Sequence, residues 1–169
     1  EGNEEELERL ARLISDMLFV AQSDHDAVQL QREPVELAAE AKRVVDYICV
    51  VAEEKQVRLQ VEGDAPTVQA DRLLVQRAIT NLLSNAVRHA FDGSCVDVTI
   101  GTDGERVTLA VANQGEPIAA AHLDRLFDRF WRADAGRGRR EGGTGLGLAI
   151  VRSIMAAHAG SVDVRSNAH

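Results

Sequence analysis

NLLSNAVRHA, from Asn81 to Ala90, is the stretch on which the rest of the chain is read. Asn81 and Asn85 are one helical repeat apart, so both carboxamides leave the same face of a helix. Amide oxygens presented this way suit a hydrated magnesium ion, which keeps several waters and takes few protein ligands. Arg88, one turn further on, can reach a phosphate carried by that ion. The same two amides can equally cap a helix or line a polar core, and this segment alone does not separate the readings. Asp71 is placed to cap the helix. It is expected to run to about His89, with Leu74, Ala78, Leu82 and Asn85 along one side.

Toward the carboxyl end stands GGTGLGLAIVRSI, Gly142 to Ile154. Glycines 143, 145 and 147 let backbone N–H groups approach a polyphosphate, and a helix beginning there adds its positive end. The P-loop signature is absent, because no Gly-Lys-Ser/Thr follows. The dinucleotide fingerprint also fails, because no strand leads into the glycines. Between these segments lies VANQGEPI, Val111 to Ile118, where Asn113 ends a strand. Gly115 after it would let a flat ring lie near the backbone, or simply serve a turn. LFDRFWRAD, Leu126 to Asp134, holds Phe127, Phe130 and Trp131, and its two phenylalanines anchor a loop or pack a core. The Gly/Arg-rich run after it has no large apolar side chain to bury.

The flanking sequence supplies the architecture. Leu7, Leu10, Ile14, Met17 and Ala21 recur every three or four residues, as in a bundle seam or in one helix docked on a domain. Residues 24–33 read as a polar linker. Pro34 suits the first position of a second helix, with Leu37, Ala41, Val44, Ile48 and Val51 buried. Val57, Leu59 and Val61 alternate as a strand ending at Gly63. Val96, Val98 and Ile100 form another, and Val107, Leu109 and Val111 a third, joined to it by an Asp103-Gly104 hairpin turn. A short helix is expected at 119–126 and a longer one at 146–158, stopped by Gly160. A last strand is expected to begin at Ser161–Arg165. The fold class is α+β, helices covering one face of a mixed sheet.

Composition narrows the function. The 169 residues carry 19 Lys and Arg against 27 Asp and Glu, a net charge of -8 that repels nucleic acid and anionic membrane. Arg137, Arg139 and Arg140 form a local cationic cluster. Cys49 and Cys95 are too few and too separated for a disulfide framework or zinc site, and read as buried free thiols of a reducing cytoplasm. No apolar run approaches the roughly 20 residues that span a bilayer.

Taken together, the four segments resemble the sequence boxes of sensor histidine kinases, in order and spacing, over nearly the whole chain. Asn81–Ala90 resembles the N box, Asn113–Gly115 the G1 box, Leu126–Asp134 the F box and Gly143–Gly147 the G2 box. LISDMLFVAQSD, Leu13 to Asp24, is similar to the end of the family's dimerisation helix. The resemblance implies a Bergerat-type two-layer α/β sandwich at 34–169 that binds Mg-ATP between the Asn81/Asn85 helix and a lid at Asp134–Gly143. It gives Asn81 and Asn85 to magnesium and places Arg88 beside the phosphates, with Asn81 and Arg88 in the catalytic role. His89 is implied to pack near the nucleotide, with Asn113, Gly115, Ile118, Phe127, Phe130 and Arg137 contributing to its binding. Thr144, Gly145, Leu146, Gly147 and Leu148 would line the phosphate side. It further implies a homodimeric parent kinase in the bacterial inner membrane, a histidine-bearing dimerisation domain as phosphate acceptor, and a response regulator downstream.

Two positions depart from the family pattern. Asn113 stands where an aspartate usually accepts from the adenine amino group; an amide is a neutral, weaker acceptor. Asparagine there is familiar in the heavy-metal-sensing branch, which the chain most resembles. The sheet strand usual after 161–165 has no counterpart before His169. None of the five histidines lies in the His-Glu/Asp-x-Arg/Lys-Thr-Pro acceptor pattern, so the acceptor is expected outside this fragment. Rival readings are a topoisomerase-, mismatch-repair- or Hsp90-like ATPase, an anti-sigma serine kinase, and a degenerate module without nucleotide. The first places a glutamate at Asn81 to activate water, and an amide cannot take that proton.

Overall fold

A computed structural model describes residues 2–24, 28–132 and 143–167. In chain order the elements are α1 (Gly2–Ser23), β1 (Arg32–Val35), α2 (Leu37–Glu54), β2 (Arg58–Gly63), β3 (Val68–Asp71) and α3 (Arg72–His89). They continue with β4 (Cys95–Asp103), β5 (Arg106–Asn113), α4 (Ala120–Leu123) and α5 (Gly147–Ala157). The chain divides into two compact units, one of Leu30–Pro117 and one of Glu1–Gln29 with Ile118–His169.

The unit of Leu30–Pro117 is built on a three-stranded mixed sheet in the order β2-β4-β5, β2 parallel and β5 antiparallel to β4. Alternation decides its inner face. Val96, Val98 and Ile100 are buried, Leu59, Val61, Leu109 and Val111 are partly buried, and the residues between them face out. Against this face pack α2, through Ala41, Val44, Ile48 and Ala52, and α3, through Ile79, Leu83, Ala86 and Val87. Each fully buried Val, Leu or Ile side chain here contributes roughly 1.5–3 kcal/mol. The aliphatic α+β reading holds, with two stripes corrected. On α2 the last buried position is Ala52, while Val51 is exposed. On α3 the buried side is Ala78, Ile79, Leu83, Ala86 and Val87, and Leu74, Leu82 and Asn85 are only half-buried. The shift is one residue, because the sheet selects the more continuous apolar stripe.

Pro34 does not open a helix. It lies in β1, which pairs antiparallel with β3, Pro34 opposite Gln69. A two-stranded ribbon has only edge strands, where a missing N–H costs no ladder bond. The expected linker therefore ends before Arg32, and α2 begins at Leu37. Behind this ribbon Glu40 is fully buried. Arg72 donates to its carboxylate and to Glu33, and the Arg72 Nη2 donates to the Pro34 carbonyl at 3.1 Å. Gln76 Nε2 donates to the other Glu40 oxygen at 2.7 Å. A buried carboxylate requires such partners. Glu33 first, then Glu40, holds the Arg72 guanidinium more firmly protonated than usual.

Both α2 and α5 end in a left-handed residue that is not glycine. Gln56 has φ 56° and Ala159 φ 56°. In each case the next residue donates back across the last turn, Val57 N to Ala52 O at 2.9 Å and Gly160 N to Met155 O at 2.8 Å. These are Schellman caps. Gly160 is thus not the stop; Ala159 is. Because a Cβ strains this conformation, Ala159→Gly is expected to raise stability by about 1 kcal/mol, read as a rise in thermal midpoint.

In the other unit α1 and α5 pack against each other. Phe19 and Val20 are the buried residues of α1, whereas Leu7, Leu10, Ile14 and Met17 are exposed. The short helix is Ala120–Leu123, smaller than the expected 119–126. Residues 161–167 form no strand. Val162, Val164 and Ser166 are half-buried in alternation, yet a strand exists only by pairing, and among the described residues none pairs with this segment. The cysteines are free but half-buried, not buried. Partial burial, then the hydrogen bond to Asp97, pushes the Cys95 thiol above its usual pKa.

Candidate functional site

The helix α3 is fixed at both ends. At its start the Asp71 carboxylate accepts from Leu74 N at 3.2 Å and from Gln31 N at 3.0 Å, confirming the cap. At its end Lys55 Nζ donates to three carbonyls, Val87 at 3.1 Å, Arg88 at 2.8 Å and Ala90 at 3.0 Å. The last carbonyls of a helix lack intrahelical donors and carry its negative end, so one ammonium answers both needs. With Leu83, Ala86 and Val87 turned to the core, Asn81 and Asn85 are left half-buried on the other side, and Arg88 and His89 are exposed.

The segment after Asn113 is tied to the same helix end. Phe91 N donates to Gln114 O at 2.8 Å, and Ala90 and Gly115 form an isolated antiparallel bridge. Asn113 is the exposed last residue of β5, opposite Val96. Gly115 is required here for a reason beyond a ring lying nearby. A Cβ at this position would fall inside van der Waals contact of the His89 carbonyl oxygen and stand 2.9 Å from Asn113 Nδ2. The fold thus brings Asn81, Asn85, Arg88, His89, Asn113 and Gly115 onto one helix and the loop latched to its end.

In the second unit Gly145, with φ 71°, accepts from Phe130 N through its carbonyl at 2.9 Å. Its Cβ, if present, would stand 2.8 Å from Phe130 C and 2.9 Å from its Cα. Thr144 Oγ1 accepts from Leu146 N at 3.3 Å. Leu146 is buried, so only its backbone is available to a ligand. It caps α5 without a side-chain hydrogen bond. The N–H groups of Gly147, Leu148 and Ala149 therefore have no intrahelical acceptor. Arg132 Nη1 donates to Gly143 O at 2.9 Å. Among the aromatics, Phe127 is half-buried, whereas Phe130 is 56% exposed and anchors through its backbone. Trp131 is held edge-on by His122 at 5.3 Å, with Arg125 over its ring at 5.8 Å. Ile118 is half-buried and donates from its N–H to Ser166 Oγ at 2.9 Å. Arg129 pairs with Asp24, which holds its guanidinium more firmly protonated than usual. Arg137 and the lid, Gly143 apart, lie outside the described residues.

Among the described residues no three His, Cys, Asp or Glu side chains cluster as a metal site. The donor set on α3 is two neutral amides, which fits a magnesium ion that brings its own waters and phosphate oxygens.

The sequence profile of the family described as histidine kinase-, DNA gyrase B-, and HSP90-like ATPase matches residues 70–169. The chain belongs to that family. Sensor histidine kinase CusS of Escherichia coli O157:H7 is 46% identical over 167 residues, covering 99% of this chain and 35% of CusS. Sensor protein IrlS of Burkholderia pseudomallei strain K96243 is 44% identical over 169 residues, 100% of this chain and 36% of that protein. This chain thus spans about a third of the length of these relatives. Full-length ShkA, solved in complex with AMPPNP, superposes with a TM-score of 0.79 at 30% identity, over 91% of this chain and 32% of ShkA. The histidine kinase AdeS of Acinetobacter baumannii gives 0.74 at 22% identity, over 89% of this chain and 68% of its own, and shows the shared fold alone. The chain carries the ATPase domain of that family, similar to the corresponding part of these sensor kinases, and the α+β reading of the fold stands.

The Lys55 clamp, the buried Glu40 and the β1-β3 ribbon escaped the sequence reading. Lys55 leaves no local signal, since its acceptors lie 32 to 35 residues away. Glu40 occupies a position in the α2 stripe that hydrophobic periodicity does not single out. The ribbon strands have four residues each, too few to show alternation.

Proposed function

We propose that this chain binds Mg-ATP and donates its γ-phosphate to a histidine on a dimerisation domain of the same kinase. The observation that carries the reading is α3, whose apolar side is fully used by the core while Asn81 and Asn85 remain half-buried beside Arg88. Asn81 and Asn85 would hold magnesium, which when bound neutralises phosphate charge. Arg88 offers a fork of N–H donors to phosphate oxygens, with Asn81 and Arg88 in the catalytic role. Asn113, Gly115, Ile118, His89, Phe127 and Phe130 serve the nucleotide's base and sugar side. Thr144 to Leu148, with Arg137, serve its phosphates through backbone N–H groups and positive charge. Asn81, being an amide, is no general base, so phosphoryl transfer is favoured over attack by water.

None of the five histidines has the acceptor pattern, so the acceptor is a histidine on another segment, reached through pairing of α1-type helices in a homodimer. Residues 1–24 would be the end of that helical domain, and the catalytic domain, expected from 34, would run from Arg32 so as to include β1. A response regulator takes the phosphate onward, and the parent protein is membrane-anchored with this domain in the cytoplasm. Among the described residues no helix is long and apolar enough to cross a membrane.

Titration calorimetry with ATP, with and without millimolar magnesium, tests the site. Asn85→Ala is expected to weaken magnesium-dependent binding about tenfold or more, the loss of one ligand contact of 1.4 kcal/mol or greater. Equal affinity in the variant removes the assignment. Transfer is tested with γ-labelled ATP, which should leave this chain unlabelled and label an added histidine-bearing domain. Acid-labile label on the chain alone overturns that step.

A further inference from the structure

We propose that the outer face of α2 docks a second copy of this chain, the two α2 helices lying antiparallel. Beside the buried stripe of Val44, Ile48 and Ala52, Tyr47, Val50 and Val51 are exposed at 79, 63 and 57%, Val51 at the edge nearest that stripe. Spacings of three and four place them in one continuous strip, which singly scattered surface apolars would not form. Exposed charges surround the strip, with Asp46 beside Tyr47. Lys42 and Arg43 lie one turn before it, and Glu53 and Glu54 close the helix after it.

That order runs against the helix's own dipole. Carboxylates are unfavourable at the negative C-terminal end and cations stabilise it, yet the last turn of α2 carries Glu53 and Glu54 and no basic residue. The stability of the isolated helix gives no reason for the pattern. An antiparallel second copy does. A two-fold axis between Ile48 and Cys49 brings Arg43 opposite Glu54 of the second copy and Tyr47 opposite its Val50. Symmetry repeats both pairs. Arg43, Tyr47, Val50 and Glu54 are spaced four, three and four, so all share the stripe that packs helix on helix. The two macrodipoles then oppose, placing each acidic end beside the partner's positive half. An exposed tyrosine at the centre is a residue type that anchors interfaces, and charge complementarity sets the register.

The test is sedimentation velocity of the whole chain across a concentration series, at low and high salt, with circular dichroism confirming each variant's fold. A reversible dimer weakened by salt is expected. Arg43→Glu and Glu54→Arg should each raise the dissociation constant about tenfold or more, and the double variant Arg43→Glu/Glu54→Arg should recover to within about threefold of the original. In the conservative Arg43→Lys variant, carbodiimide should link position 43 to Glu54 of the other copy. A chain that stays monomeric overturns the proposal. So does a dimer, such as one made through α1, that ignores both reversals, fails to recover in the double variant, or gives no such link.

Discussion

Replacing Lys55 by methionine is expected to lower the unfolding free energy by about 3 kcal/mol, below the roughly 4.5–9 kcal/mol of three charge-assisted hydrogen bonds because the site is partly exposed and water recovers part of the loss. The Nζ holds three carbonyls at the end of α3. Methionine keeps the length and apolar stem but donates nothing, leaving those carbonyls to water or to each other. Because Arg88 and His89 occupy that turn, nucleotide affinity on the proposed function should fall along with stability. Urea unfolding measures the first effect and titration calorimetry the second. A variant as stable as the original would show that water replaces the ammonium at no cost.

The second large effect is expected at Gly115. In Gly115→Ala the new methyl meets a backbone oxygen, that of His89, which no rotamer change can move aside. The loop must therefore lift, breaking the bond from Phe91 N to Gln114 O and carrying Asn113 with it. Overpacking of this kind costs about 2–3 kcal/mol. On the proposed function, adenine-side contacts are lost too, so ATP binding should weaken more than tenfold, by over 1.4 kcal/mol. Amide exchange at Phe91 reports the latch directly. Slow exchange there in the variant, with unchanged ATP affinity, would refute the account.

Much of the site was legible because its residues are constrained locally. Asn81 and Asn85 share a helix face by spacing alone, and Asp71 caps that helix because its side chain reaches only three residues ahead. Gly145 was marked by composition, and its φ of 71° is the conformation that glycine supplies. The misreadings fall where distant residues decide. Pro34 reads as a helix start until β3 is seen beside it. Ala159 carries no sign that it, not Gly160, adopts φ 56°. Val162 and Val164 alternate as a strand should, but alternation selects a face and does not create a neighbour.

By itself the sequence determined the existence of the longer helices, the β4-β5 hairpin and the alternating aliphatic face of the sheet, because periodicity and capping act within a few residues. Only the tertiary structure decided which apolar stripe of α3 turns inward, and so leaves Asn81 and Asn85 half-buried on the other side. It alone showed that Lys55 closes that helix, that Glu40 is buried among Arg72 and Gln76, and that Gly115 abuts His89. Each of these depends on groups some 25 to 40 residues apart meeting at hydrogen-bond or van der Waals distance. The packing of the whole core fixes such meetings, and no local preference encodes them.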